Sequence, residues 1–252
     1  MAATVAYDGT DFQGWQVQPD TRTVQSEIEK ALAVLNGGKS PRIHGSGRTD
    51  TGVHARGQVF HFDPLRMMTP EKWKSALNGL LPEDIRILKV VEVSPDFHAR
   101  FDAVKKQYRY FIYMEEVMPP ELRKIRHHVR SLLDLEAMRK GAGVLQGAHD
   151  FRSFSANRGK PETSTLRNVM TLRLEGEAPE LCLIAEADGF LYKMVRQLAG
   201  ALLRIGHGEL SLGELENLLR YPDRNHLAPT APPQALFLWQ VTYPGGSRHE
   251  RI

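Results

Sequence analysis

One short segment concentrates residues able to do chemistry: Gly45-Ser46-Gly47-Arg48-Thr49-Asp50-Thr51-Gly52-Val53-His54-Ala55. Gly45, Gly47 and Gly52 let the backbone come close to a ligand and adopt positive φ. Into that loop are set one carboxylate, Asp50, and one guanidinium, Arg48, with Arg56 just beyond. An acid held among cations stays ionised, because nearby positive charge favours the charged form. An ionised, desolvated carboxylate presented to a sugar carbon or to an electrophilic base can act as a nucleophile. The arginines beside it are suited to hold phosphates or to wedge between bases. Taken alone, an aspartate in a glycine-rich loop also fits a turn residue bonding its own backbone. Residue types leave both readings open.

Spacing disposes of several other chemistries. No Gly-x-x-x-x-Gly-Lys-Ser/Thr run exists for a phosphate-binding loop, and Asp50 stands where a dinucleotide fingerprint needs its third glycine. Ser46 is not preceded by the glycine pattern of a nucleophile elbow. His44, His54 and His61 are not at helical metal-ligand spacing, and the single cysteine, Cys182, allows neither an intrachain disulfide nor a cysteine-based metal site. No metal is expected. The chain carries a net charge of +3, with Arg and Lys clustered in Arg42–Arg56, Arg100–Arg109, Arg123–Arg130 and Arg152–Lys160. Those clusters fit either solvated faces or an anionic partner. No apolar run reaches the ~18 residues of a membrane span, and Met1–Val5 leads straight into a strand pattern, so neither a membrane anchor nor a signal peptide is expected. A reducing cytoplasm suits the cysteine usage.

The elements that must position these residues alternate between the two periodicities. Strands are expected at Ala2–Tyr7, Arg42–His44, Gln58–Asp63, Ile85–Val93 and Lys105–Met114, the last with Tyr108, Tyr110 and Ile112 on one face. The glycine-rich loop is expected to run from Gly45 to Gly57. Thr23 caps a helix whose apolar face is Val24, Ile28, Ala31, Leu32 and Leu35, stopped by Gly37-Gly38. A second helix starts at Thr69-Pro70 and runs to about Asn78. The second half continues in the same vein: a helix capped by Asp134, strands at Thr165–Glu175 and Glu180–Asp188, a long helix over Leu191–Ile205, a capping box at Ser211–Glu214 and a last strand at Leu236–Tyr243. Ser155–Thr165 reads as a mobile loop. The pattern is α+β. Phe12, Trp15 and Tyr7 read as core packing, while their segment, Asp8–Gln16, also fits a loop lining the site.

The loop resembles the active-site motif of the TruA family of pseudouridine synthases, Gly-Arg-Thr-Asp-x-Gly-Val-His-Ala. The similarity continues in Tyr7–Gln16, Asn78–Ile85, Phe97-His98-Ala99-Arg100-Phe101, Tyr108-Arg109-Tyr110, His149-Asp150-Phe151, Phe190–Gln197 and Ala228–Gln234, nearly the whole chain. It departs from the family at Leu122–Ser131, at Pro161–Arg167 and at Ala235, where relatives commonly have glycine. The resemblance implies a pseudouridine synthase fold: two similar α/β subdomains, 1–103 with the aspartate loop and 104–252, with joined, mostly antiparallel sheets and a central RNA-binding cleft. It implies isomerisation of uridine to pseudouridine in the anticodon stem-loop of tRNA, at positions 38, 39 and 40, by a homodimer without metal or other cofactor. Asp50 becomes the catalytic nucleophile, Tyr108 the active-site tyrosine, Arg196 the cation paired with Asp50, and Arg48 the side chain that holds the gap left by the displaced base. A catalytically silent RNA-binding protein is the first alternative, but pure binding has no need of a carboxylate near phosphates. A glycoside hydrolase is the second, but it normally uses two carboxylates and this loop offers one.

Overall fold

A computed structural model describes residues 1–39, 41–156, 164–223 and 229–245; most of the loop expected over 155–165 lies outside them. In chain order the elements are β1 (Ala2–Tyr7), α1 (Val24–Leu35), β2 (His44–Gly45), β3 (His54–His61), α2 (Pro70–Leu80), β4 (Ile85–Val91), β5 (Lys105–Tyr113), β6 (His127–His128), α3 (Leu135–Val144), β7 (Gly147–Asp150), β8 (Leu166–Glu177), β9 (Glu180–Ala187), α4 (Met194–Gly206), α5 (Leu212–Arg220) and β10 (Leu236–Thr242). They form two compact units. The first is Met1–Lys106 together with the chain from Phe237 onward, and the second is Gln107–Leu236. Most of the last strand, from Phe237, thus belongs to the first unit.

In the first unit the strand order is β4-β1-β3-β10, with β2 also on β3. β1 runs antiparallel to both β3 and β4, which explains its nearly continuous burial and its lack of alternation. β4, on the edge, alternates cleanly, with Ile85 and Ile87 buried and Arg86 and Leu88 exposed. β3 starts at His54, four residues before the expected strand and inside the stretch expected to be loop. Its extra turn of strand pairs antiparallel with Tyr7 and parallel with Phe237 and Leu238. Gly57 permits this, because a Cβ there would lie 2.5 Å from the Trp239 carbonyl oxygen.

Helix α1 begins at a reciprocal cap: the Thr23 hydroxyl accepts from Ser26 N–H, and the Ser26 hydroxyl accepts from Thr23 N–H. It buries Val24, Ile28, Ala31 and Leu32 and stops at Gly37 and Gly38, both at positive φ. In α2, Thr69 caps, Pro70 occupies the first position, and Trp73 and Leu77 are buried one turn apart.

The second unit orders its strands β5-β9-β8-β7, with β6 parallel to β5. Helix α4 is buried almost all round, with only Arg196 and Arg204 half-buried. Close approaches need its glycines: a Cβ on Gly200 would overlap the Pro229 carbonyl, and one on Gly206 would meet Met138 Sδ at 2.7 Å. α4 starts three residues after the expected Leu191, because Lys193 adopts the left-handed conformation at φ 59° and the chain turns there. Asp134 caps α3 and the Ser211–Glu214 box caps α5, as expected. The fold is α+β with mostly antiparallel strand pairing.

Candidate active site

The loop that leaves β2 and enters β3 is fixed at every stage by buried polar contacts. On the rising side Ser46 N–H donates to the Val59 carbonyl at 2.7 Å, and the Ser46 hydroxyl bonds Gln58 Oε1 at 2.5 Å. Gln58 Nε2 donates to the Gly47 carbonyl at 2.8 Å. The Lys106 ammonium donates to the Ser46 carbonyl at 2.6 Å. Ser46 and Gln58 are fully buried, so losing either partner would strand a polar group. At the apex Thr49 Oγ1 and the Tyr7 hydroxyl lie 2.8 Å apart, both buried. Burial pushes the Tyr7 phenol well above its ordinary range, so it serves as a neutral hydrogen-bonding post. On the falling side Val53 N–H donates to the Asp50 carbonyl at 3.1 Å, and Gly52, at φ 75°, donates to the Phe12 carbonyl at 3.4 Å.

The segment after β1 buttresses this loop. Trp15 N–H donates to the Thr49 carbonyl at 3.2 Å, and the Trp15 ring packs against Tyr7 and Phe60. Gly9 N–H donates to His54 Nδ1 at 3.0 Å, and the His54 ring stacks on Phe237 at 4.5 Å. Gly9 and Gly14 exist for contact: a Cβ on Gly9 would sit 2.0 Å from the Val53 carbonyl oxygen, and one on Gly14 would sit 2.6 Å from that of Thr49. Thr49 and Val53 therefore point inward, while Arg48 and Thr51 are exposed and Asp50 is half-buried between them. The result is one carboxylate presented from a backbone that cannot easily move, next to an exposed guanidinium.

Asp50 and Arg48 belong to this loop; Tyr108 and Arg196 belong to the second unit. Tyr108 is buried on β5, edge-on to Phe190 at a centroid distance of 5.1 Å. On the same face, the Tyr110 hydroxyl donates to the Pro232 carbonyl at 3.1 Å and lies 3.0 Å from His127 Nδ1. Its only proton goes to that carbonyl, so His127 Nδ1 is the donor in the second contact. Arg196, in the first turn of α4, donates from Nε to the Ala231 carbonyl at 2.7 Å, and Ala231 N–H returns a bond to the Arg196 carbonyl at 3.1 Å. The half-buried cation thus clips the chain before β10 onto the helix.

Sequence reasoning missed the network beneath the loop. Tyr7 and Trp15 read as core, and they are buried, but they also hold Thr49. Gln58 carried the available signal: an uncharged polar side chain in the apolar run Gln58–Phe62 implies a buried partner. Two residues of the basic clusters are engaged internally. Lys106 bonds the loop, and Arg126 pairs with Glu180 at 2.7 Å over the Phe111 ring. Burial pushes the Cys182 thiol up to about 11, which removes it as a nucleophile. Among the described residues no group of three or more His, Cys, Asp or Glu side chains is arranged to hold a metal ion, and no helix is long and apolar enough to cross a membrane.

Comparison with known proteins places this architecture. The profile of the family described as tRNA pseudouridine synthase matches residues 3–102 and 142–244, which include Asp50 and Arg196. The chain therefore belongs to the tRNA pseudouridine synthase family. It is similar to proteins named tRNA pseudouridine synthase A from Geobacillus sp. (strain WCH70), 43% identical over 96% of this chain and 98% of that one. It is 46% identical to that of Listeria monocytogenes serotype 4b, again over 96% of this chain and 98% of the relative, and 43% identical to that of Oceanobacillus iheyensis, over 96% of each.

Proposed function

We propose that the protein isomerises uridine to pseudouridine in the anticodon stem-loop of tRNA, at positions 38, 39 and 40, with Asp50 as nucleophile and without metal or cofactor. Membership of the family supports the reaction class. The observation that carries the role of Asp50 is the loop itself: the flanking Thr49 and Val53 are pinned by Tyr7, Trp15 and the Asp50 carbonyl, while Asp50 itself is only half-buried. A held nucleophile loses little freedom on the way to the transition state.

In the reaction the bond between uracil N1 and ribose C1′ breaks, the base turns, and C5 bonds to C1′. The C5 proton leaves and N1 gains one, so no atoms or electrons are exchanged with a co-reactant. The target base must leave its stack to be reached. Arg48, exposed beside Asp50, is suited to occupy the gap, Tyr108 to stack on the base, and Arg196 to serve as the cationic partner of Asp50. The enzyme acts as a homodimer in the cytoplasm in this reading. The test uses protein dialysed against a chelator and a tRNA transcript carrying tritium at uridine C5, with Mg²⁺ added only to fold the tRNA. Release of tritium to water is expected. No release, or release that returns only with another divalent metal, would refute the reading.

A further inference from the structure

The motif Phe97-His98-Ala99-Arg100-Phe101 is not used by the chemistry above, and its geometry is unusual. Phe101 is 73% exposed, the most exposed of the large aromatic side chains among the described residues. An exposed phenyl ring is ordinary on a mobile loop, but this turn is fixed at every backbone donor. His98 N–H donates to the Asp102 carboxylate at 2.8 Å, and Asp102 N–H returns to the His98 carbonyl at 3.0 Å. Ala99 N–H donates to His61 Nδ1 at 3.1 Å. Arg100 and Phe101 N–H both donate to His98 Nδ1, at 3.1 and 3.3 Å. The Tyr243 hydroxyl closes the turn on the Ala99 carbonyl at 2.7 Å.

The exposed ring also ends a cluster of rings, edge-on and tilted between His98 and its neighbours. Phe101 lies 4.3 Å from the His98 ring, which lies 4.8 Å from His61 and 5.7 Å from His44. His44 in turn stacks on His61 at 5.1 Å and 16°. The exposed Arg100 guanidinium stands 5.6 Å from the Phe101 ring. The histidines do not make a metal site: Nδ1 of His61 and of His98 accepts backbone N–H, which leaves their protons on Nε2, the atom a metal would need bare. An exposed aromatic face held on a fixed turn, with a cation beside it, matches what a single unpaired nucleobase with its phosphate requires.

We propose that Phe101 and Arg100 form a stacking platform for an unpaired nucleotide of the RNA substrate, separate from the Asp50 loop. The platform rests on the reading that the substrate is RNA. Phe101→Tyr keeps the π-face, whereas Phe101→Leu keeps apolar area without it. The ring is exposed, so both variants should fold, and their melting temperatures confirm that. Binding of unmodified tRNA transcript is measured by filter retention, with oligomeric mass by light scattering. Phe101→Leu should weaken binding about 5- to 150-fold, the range for loss of one base–aromatic stack, and Phe101→Tyr should bind like the parent. Arg100→Ala should lower the slope of log K against log salt by about one phosphate contact. A photo-crosslinking phenylalanine analogue at position 101 should label an unpaired nucleotide. Equal binding by Phe101→Leu, labelling of a paired stem, or a crosslink to a second subunit with a change in oligomeric mass would each overturn the platform. Because binding is scored apart from isomerisation, a parent protein that binds tRNA but releases no tritium would sink the proposed function and leave the platform standing.

Discussion

Gly14→Ala is the substitution whose consequence follows most directly from the loop geometry. Gly14 sits at φ 81°, and a Cβ there would lie 2.6 Å from the Thr49 carbonyl oxygen and 3.2 Å from the Asp50 carbonyl carbon. The left-handed conformation alone costs an alanine ~1–2 kcal/mol. The clash requires the Thr49–Asp50 peptide to retreat by a little over half an ångström, and forcing such a shift in packed surroundings costs ~1–3 kcal/mol more. Together the change should destabilise by ~2–5 kcal/mol, a drop in melting temperature of about 5–20 °C for a chain of this size. Because the displaced peptide carries Asp50, single-turnover tritium release should also slow by about tenfold or more, in line with the ~100-fold cost of a 1 Å misplacement. Gly38→Ala is the control. It has a positive φ of 94° and open space around its Cβ, so it should lose ~1–2 kcal/mol of stability and no catalytic rate. If Gly14→Ala matched Gly38→Ala in rate, the buttress argument would be refuted.

Three further outcomes are expected. Tyr7→Phe strands the buried Thr49 hydroxyl and should cost ~1–3 kcal/mol in chemical denaturation; an unchanged midpoint would mean that Thr49 repairs its bond elsewhere. tRNA affinity should fall steeply with salt, because phosphate contacts dominate RNA binding, and a flat plot of log K against log salt would contradict this. Finally, burial and the neighbouring His98 and His44 lower His61 from 6.5 to about 4. The neutral ring's stabilisation is present above pH 6.5 and is lost as pH falls toward 4, since the unfolded chain then binds the proton more readily. For a half-exposed ring the effect is on the order of 1 kcal/mol after screening. Thermal scans across that window should show the decline, and a His61→Asn variant should show a shallower one; identical slopes would refute the assignment.

Local signals made much of this protein legible. The caps at Thr23, Asp134 and Ser211, the Pro70 start and the Gly37-Gly38 stop are written in a few adjacent residues, because each satisfies orphan groups of its own helix. The α+β class followed from the alternation of periods. What was not legible depended on pairing over long sequence distances. The parallel pairing of β10 with β3 turned part of a glycine-rich loop into strand, and only the contact of Gly57 with the Trp239 carbonyl explains the glycine. The late start of α4 rests on one left-handed lysine, for which no propensity argues. In the site, Asp50 and Arg48 stood out as charges among glycines, whereas Ser46, Thr49 and Gln58 are unremarkable types whose roles come from burial against Tyr7, Lys106 and Trp15. The internal use of Lys106 and Arg126 was equally hidden, because a basic residue reads the same whether it meets a phosphate or a carbonyl.

The central claim is that Asp50 is a nucleophile and not a turn residue, and Asp50→Asn tests it most directly. Asparagine keeps the size of aspartate and forms the same kind of turn, and the bond from Val53 N–H uses the backbone carbonyl, so the loop should stand. The measurement is single-turnover release of tritium from C5-labelled tRNA, alongside filter binding of the same tRNA. No detectable release is expected, with affinity unchanged or slightly raised, since a carboxylate near phosphates has been removed. Activity within about tenfold of the parent, a barrier change of only ~1.4 kcal/mol, would contradict it.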